Sequence, residues 1–333
     1  MAPVARILLR PHPGGARAAM AGVPCGDDTC VRRADQQDAH MSRPPRRPEG
    51  PRRPAPFSRD AAPTGEAPRR AAPEGRPGPR RPDSPAEPVR REKPEANTQW
   101  LYGLHAVAAA LRNPRRRARR LLLTAEAEQN LLEQLPKPWR LQPERVERAR
   151  FQTFLTEDAV HQGAALLAEP LPPVDLDDAL DASRGTVLLL DQVTDPRNVG
   201  AILRSAAAFG AAVVVMQDRN APPETGAMAR AAAGALDIVP VAREVNLART
   251  IQTLQKRGYW VMGLDGDAEA ELARAKPGDR PSALVLGAED TGLRRLQRET
   301  CDELVRLPIS GAVESLNVSV AAAVALYELA RQG

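Results

Sequence analysis

From Gly185 onward, short apolar runs alternate with helical ones so regularly that only layered sheet-and-helix architectures can accommodate the chain. The spacing predicts strands at 186–193, 212–216, 238–241, 259–264, 282–286 and 303–307, and helices at 199–209, 226–233, 247–257, 292–299 and 316–331. The strand runs are apolar at nearly every position, not every second one, which is the pattern of strands buried on both faces. An α/β fold follows, with a mostly parallel sheet covered by helices on both sides. In such sheets ligands gather where strands run into helices. A dinucleotide site there would need G-x-G-x-x-G after the first strand; the chain reads Asp195-Pro196-Arg197-Asn198-Val199-Gly200 instead.

At 333 residues there is room for two domains and a tail. Of the 33 prolines, 19 fall in residues 1–100, and that stretch holds 19 Lys+Arg against 12 Asp+Glu, a balance of +7. Residues 101–333 are close to neutral, at −2. The composition predicts a disordered Pro/Arg-rich tail at 1–98, too poor in apolar residues to offset the entropy of ordering. Its Arg pairs, such as Arg46-Arg47 and Arg80-Arg81, either hold polyanions loosely by counterion release or are a solvated linker. Residues 1–26 contain Arg and no acid, as transit peptides do, but Ile7-Leu8-Leu9 is too short for a secretory core. The expected location is cytoplasmic, with translation starting at Met1 or Met41. No apolar run reaches a membrane-spanning length, and the three cysteines lack zinc-ligand or disulfide-scaffold spacing, so neither a membrane nor a metal is expected.

Residues 99–169 read as a small α/β domain. A helical period covers 100–111 and ends at Asn113-Pro114. A short strand at 121–123, a helix around 130–135, a strand near 140–141, a helix near 146–155 and a strand at 164–168 follow. The run Arg115, Arg116, Arg117, Arg119 and Arg120 is either a solvated turn or a set of RNA phosphate contacts. His105 and His161 have no recognisable catalytic partner and read as structural or RNA-contacting. Residues 170–184, with Pro170, Pro172 and Pro173, read as a linker to the larger α/β domain at 185–333.

Three segments of that last domain carry chemistry. In 191–210 (DQVTDPRNVGAILRSAAAFG), Asn198 and Arg204 are six residues apart, so they lie roughly 120° apart on neighbouring helix faces. Asn198 alone reads equally as a helix N-cap. Arg204 alone reads as a solvated helix charge, but it lies in a helix of otherwise small, apolar residues, where a buried charge would need a partner such as RNA phosphate. In 284–294 (LVLGAEDTGLR), Gly287 permits close backbone approach at a strand end, and Glu289 is either a site carboxylate or a surface one. In 307–328 (LPISGAVESLNVSVAAAVALYE), Ser315 is a candidate N-cap, while Asn317 has no helix-propensity reason to be there, which points to a hydrogen-bonding duty.

In this order, Asn198-x-Gly200-x-x-x-Arg204, Gly287-Ala288-Glu289 and Ser315-Leu316-Asn317 resemble the three signature motifs of the SpoU (TrmH-like) RNA ribose 2'-O-methyltransferases. Residues 102–107 and 160–163 are similar to the small substrate-binding domain that precedes many of their catalytic domains. The resemblance implies a C-terminal trefoil knot, a homodimer paired through C-terminal helices, and S-adenosyl-L-methionine as methyl donor. It implies a cofactor pocket lined by Gly287, Leu307, Ile309 and Leu316, and catalytic duty for Asn198, Arg204, Glu289, Ser315 and Asn317. Arg204 would act on the 2'-hydroxyl, either as a base or by orienting phosphate and stabilising the alkoxide. Ala288, where the family commonly has Ser or Asn, leans towards the branch that methylates a guanosine of 23S ribosomal RNA. The alternatives are a transfer-RNA ribose methyltransferase and a non-catalytic RNA-binding or ribosome-assembly protein; the latter would have lost Asn198, Arg204, Glu289 or Asn317, all of which are present.

Overall fold

The computed structural model describes residues 95–275 and 277–332. Apart from its last four residues, the expected tail at 1–98, with its Arg pairs and Met41, lies outside the described residues.

The first sheet is built from β1 (Gln99–Tyr102), α1 (Leu104–Arg112), β2 (Ala118–Leu123), α2 (Ala125–Gln134), β3 (Pro143–Arg145) and β4 (Ala164–Ala168). Its order is β1-β4-β2-β3, with β4 antiparallel to both neighbours and β2 parallel to β3. The helix expected over 100–111 is really a strand and a helix. Gly103, at φ 95°, lets the chain turn sharply between them, in a backbone conformation that other residues avoid. Trp100 and Leu101 are thereby freed to pair with Leu167 and Leu166. The helix expected near 146–155 is a short 3-10 turn, Arg148–Thr153, and the strand expected at 140–141 forms at Pro143–Arg145.

An aromatic cluster explains that turn. Phe151 is fully buried, with Phe154 5.8 Å away and the His161 ring stacked on it at 4.3 Å. His161 Nδ1 accepts from Gly163 N at 3.1 Å, so its proton must sit on Nε2. His161 is thus a structural histidine. Burial, with Arg148 nearby, holds its pKa below the ordinary 6.5. The unfolded chain then binds this proton more readily than the folded one, so stability falls as pH drops below about 6.5. His161→Gln should shrink the difference in melting midpoint between pH 7.5 and pH 5.5; an unchanged difference would remove His161 from the acid response.

The second part runs through α3 (Leu176–Ala182), β5 (Val187–Leu190), α4 (Pro196–Ala208), β6 (Val213–Gln217), α5 (Gly226–Ala232), β7 (Val241–Glu244) and α6 (Leu247–Lys256). It continues with β8 (Trp260–Leu264), β9 (Ala270–Glu271), β10 (Ser282–Leu286), α7 (Arg295–Thr300), β11 (Glu303–Arg306) and α8 (Val318–Gln332). All ladders are parallel, in the order β7-β6-β5-β10-β8-β11-β9. Burial on both faces follows from the period of two: Leu188, Leu190, Val214, Leu284 and Leu286 enter one core, and Val187, Leu189, Val213, Ala283 and Val285 the other. The first core also takes in Leu101, Val107 and Leu121, so it runs on into the small sheet.

Two expectations are corrected here. Residues 170–184 are more than a linker: Asp175 caps α3 by accepting from Asp177 N and Asp178 N, and Leu176, Ala179 and Leu180 pack into the second core. The strand expected at 238–241 begins only at Val241, because Ala235–Asp237 form a 3-10 turn whose Asp237 is drawn into an ion pair with Arg116. Among the described residues, no helix is long and apolar enough to cross a membrane.

Candidate active site

At the C-terminal ends of β5 and β10, three distant segments converge. Asp195 caps α4, its Oδ1 accepting from Arg197 N at 2.8 Å, with Pro196 in the first turn. The capping role left open for Asn198 is therefore already filled, and its amide reaches outward: Nδ2 donates to Glu289 Oε1. Asn317 Nδ2 donates to the same Glu289 oxygen at 2.9 Å and to Asn198 Oδ1 at 3.2 Å. Asn317 Oδ1 accepts from Ser319 N at 2.9 Å, which caps α8. That corrects the expected cap at Ser315, which instead lies exposed on the wall of the neighbouring cavity. The triangle pins one carboxylate oxygen of Glu289. Among the described residues the other has no partner.

The cavity beside this triangle, of about 180 Å³, is lined by all four expected cofactor residues, Gly287, Leu307, Ile309 and Leu316, together with Glu289 and Ser315. Its floor depends on Gly287. A Cβ there would lie 2.2 Å from Gly292 C and 2.4 Å from Leu293 N, both backbone atoms. The loop between them is closed by Ala288 N donating to Gly292 O at 3.1 Å and Gly292 N donating to Ala288 O at 2.9 Å.

A buried pair that the sequence reading missed fastens the two strand ends. Asp191, fully buried, accepts from Arg294 Nε at 2.8 Å and from Arg294 N at 3.2 Å, and its own N donates to Leu286 O at 2.8 Å. The signal available was a carboxylate directly after an apolar strand, where a charge must find a partner.

Arg204 is not drawn into the triangle. The buried face of α4 is Val199, Ile202, Leu203 and Ala206, and Arg204 is exposed. The expectation that it sits in apolar surroundings is corrected, since it projects from the opposite side of that face. It lies about 9 Å along the helix from Asn198 and has no hydrogen-bond or ion-pair partner among the described residues.

The basic run is also redistributed. Arg116 is corrected as an RNA contact: it is buried, its Nε and Nη2 bonding Asp237 at 2.8 and 3.1 Å and its Nη1 bonding Glu224. It is a strut between the small sheet and the turn after α5. Arg119 bonds Glu169, Arg120 bonds Glu144 at 2.8 Å, and Arg115 Nη2 donates to Pro172 O at 3.1 Å. Arg117, 3.7 Å from Glu169, has a side chain 79% exposed. His105 Nδ1 lies 3.0 Å from Gln134 Oε1. A larger cavity, about 610 Å³, sits at the seam beside Arg115 and Asp237. It contains none of the polar motif residues, so volume alone does not select the site.

Known proteins resemble this chain in sequence and in fold. Residues 185–327 match the SpoU rRNA Methylase family, and residues 100–174 match the RNA 2'-O ribose methyltransferase substrate binding family. The 23S rRNA (guanosine-2'-O-)-methyltransferase RlmB of Vibrio cholerae is 41% identical over 242 residues, covering 71% of this chain and 98% of that protein. RlmB of Ralstonia nicotianae is 43% identical over 244 residues, covering 71% and 97%. Among solved structures, the SpoU methyltransferase AviRb from Streptomyces viridochromogenes, in complex with the cofactor AdoMet, superposes with a TM-score of 0.60 at 23% identity, covering 71% of this chain and 91% of that one. That likeness speaks for the fold. With two family matches in tandem and relatives above 40% identity along nearly their whole length, this chain belongs to the SpoU rRNA methylase family.

Proposed function

We propose that this protein transfers a methyl group from S-adenosyl-L-methionine to the ribose 2'-hydroxyl of a guanosine in 23S ribosomal RNA. The observation that carries the proposal is the meeting of Asn198, Glu289 and Asn317 on the rim of the Gly287 cavity. The RlmB relatives, named for this reaction, give the substrate.

The cavity suits the donor. Its walls are mainly apolar, from Leu286, Leu307, Leu316 and Val318, and the missing side chain of Gly287 lets the Gly292–Leu293 backbone close in beside it to form the wall. An adenine and its ribose need apolar walls and backbone hydrogen bonds more than a charged clamp. Gly287, Leu307, Ile309 and Leu316 are the residues that would hold it. When bound, the donor supplies an electrophilic methyl on a cationic sulfur. Asn198 and Asn317 hold Glu289 in one orientation, leaving its second oxygen to hydrogen-bond a ribose. A guanidinium is a permanent cation, so Arg204 is assigned to gripping a phosphate and stabilising the developing alkoxide, while the hydroxyl proton leaves to solvent water and the methyl passes from the sulfur to the oxygen.

A homodimer and the knotted C-terminal topology belong to the same proposal. Val320, Val324 and Tyr327 stay 49%, 44% and 55% exposed on α8, whose other face enters the core. A two-fold pairing of that face would cover them, and sedimentation at micromolar protein should give a dimer. The knot is supported by β10 lying between β5 and β8 while α8 returns against α4. A cytoplasmic location goes with the substrate.

The cellular test is nucleotide-resolution mapping of 2'-O-methylation with and without this gene. One guanosine of 23S ribosomal RNA should lose its mark. A full 23S complement alongside a lost transfer-RNA mark would redirect the proposal.

A further inference from the structure

Helix α4 carries a second arginine in line with Arg204. Arg197 and Arg204 are seven residues apart, a rotation of about 700°, so they project within about 20° of one another and about 10.5 Å apart along the axis. The residue between them on that face is Ala201. The helix therefore shows a strip with a guanidinium at each end and nothing bulky between. Asn198, which holds Glu289, directly follows Arg197.

Arg197 differs from Arg204 in having an occupant. Its Nη2 donates to Asp158 Oδ2 at 3.1 Å, with the two side chains 70% and 68% exposed. Asp158 lies in the small domain, on the loop that leads to β4. The same loop is held by a third arginine, Arg230 of α5, whose Nε donates to Val160 O at 3.1 Å. Arg230 runs close over the β1–α1 turn: a Cβ on Gly103 would lie 2.8 Å from its Cδ. The Tyr102 phenol is pushed up by burial, with Asp158 adding to the rise and Arg197 and Arg230 opposing it, so these four groups form one cluster.

Such an exposed pair adds little net stability. A phosphate diester offers a guanidinium the same bidentate geometry as a carboxylate. On an RNA strand it arrives already held by its neighbours.

We propose that Arg197 and Arg230 form a phosphate subsite for the RNA strand whose ribose lies at Arg204, and that Asp158 is a placeholder that releases Arg197 when the phosphate arrives. This rests on the RNA-methyltransferase reading for the identity of the strand. The chemistry is that of a singly charged diester beside the reacting nucleotide.

The test uses the full chain and unmodified 23S ribosomal RNA transcribed in vitro, with binding measured across a salt series and methyl transfer measured at saturating donor. Arg197→Ala should raise KM about tenfold, leave kcat within about threefold, and flatten the slope of log affinity against log salt by about 1. Arg197→Lys should restore the slope but only part of the KM. Asp158→Asn should tighten RNA binding at low salt, because the competing carboxylate is gone. Arg184→Ala removes an equal charge before β5, at the opposite end of the sheet, and should leave the slope unchanged.

An Arg197→Ala protein with wild-type slope and KM overturns the subsite. So does a loss confined to kcat, which would place Arg197 in the chemistry. Asp158→Asn weakening RNA binding as much as Arg197→Ala overturns the placeholder and makes the pair a brace. If Arg197→Ala melts far below wild type, the Asp158→Asn and Arg230→Ala binding data decide instead, with tighter and weaker binding respectively expected and the reverse fatal. Wild type that binds this RNA but methylates nothing, with the Arg197 slope effect intact, would sink the functional reading and leave the subsite standing.

Discussion

Arg204→Ala should give a folded protein that transfers almost no methyl groups. The residue is exposed on α4 and has no partner among the described residues, so its removal disturbs no packing; such surface changes shift stability by roughly 0.5 kcal/mol or less. Ala is also the better helix former. The chemistry is another matter. Deprotonating a ribose hydroxyl builds negative charge next to a phosphate, and Arg204 is the cation assigned to that region. Removing a group that stabilises transition-state charge typically costs about 10²–10³ in rate. With donor and RNA both saturating, kcat should fall by at least that factor while the melting midpoint stays put. Turnover near wild type would remove Arg204 from the mechanism.

Gly287→Ala should have the opposite profile, losing the cofactor first. Its Cβ would come within 2.2 Å of Gly292 C and 2.4 Å of Gly292 O. Neither atom can swing aside as a side chain would, because both belong to a loop closed by two hydrogen bonds between Ala288 and Gly292. Relieving the clash means opening that loop, which forms one wall of the cavity. A destabilisation of about 1–3 kcal/mol is expected from the overpacking, with affinity for S-adenosyl-L-methionine reduced at least tenfold by calorimetry. Gly266 lines the same cavity but has open space where a Cβ would go, so Gly266→Ala is the matched control and should bind normally. Equal affinity in both variants would mean that Gly287 does not shape the donor site.

What the sequence made legible follows from the range of the forces involved. The predicted strands at 164–168 and 282–286 coincide with β4 and β10, because an apolar run of five residues bounded by Gly or Pro is too short for a buried helix and suits a central strand. β1 was hidden, since Trp100 and Leu101 continue the helical apolar period of α1 and only the Gly103 turn separates them. α3 was hidden by its Asp and Pro neighbours, although Asp175 is a good N-cap. At the site, the motif residues stood out because each is locally out of character: a glycine ending a strand, an asparagine opening an apolar helix. Asp191–Arg294 and Arg116–Asp237 did not stand out. Their partners are 103 and 121 residues away, and nothing local to Arg116 distinguishes it from its exposed neighbours Arg115 and Arg117. Burial alone separates a strut from a surface charge, and burial is decided by the fold.

The purified chain, incubated with S-adenosyl-L-methionine carrying a labelled methyl and unmodified 23S ribosomal RNA, should place its label at a single position. The prediction is one labelled guanosine, methylated on its ribose 2'-oxygen, with the label lost in Arg204→Ala. Label on a base, label spread over many nucleotides, or no transfer by a protein that binds both donor and RNA would contradict it.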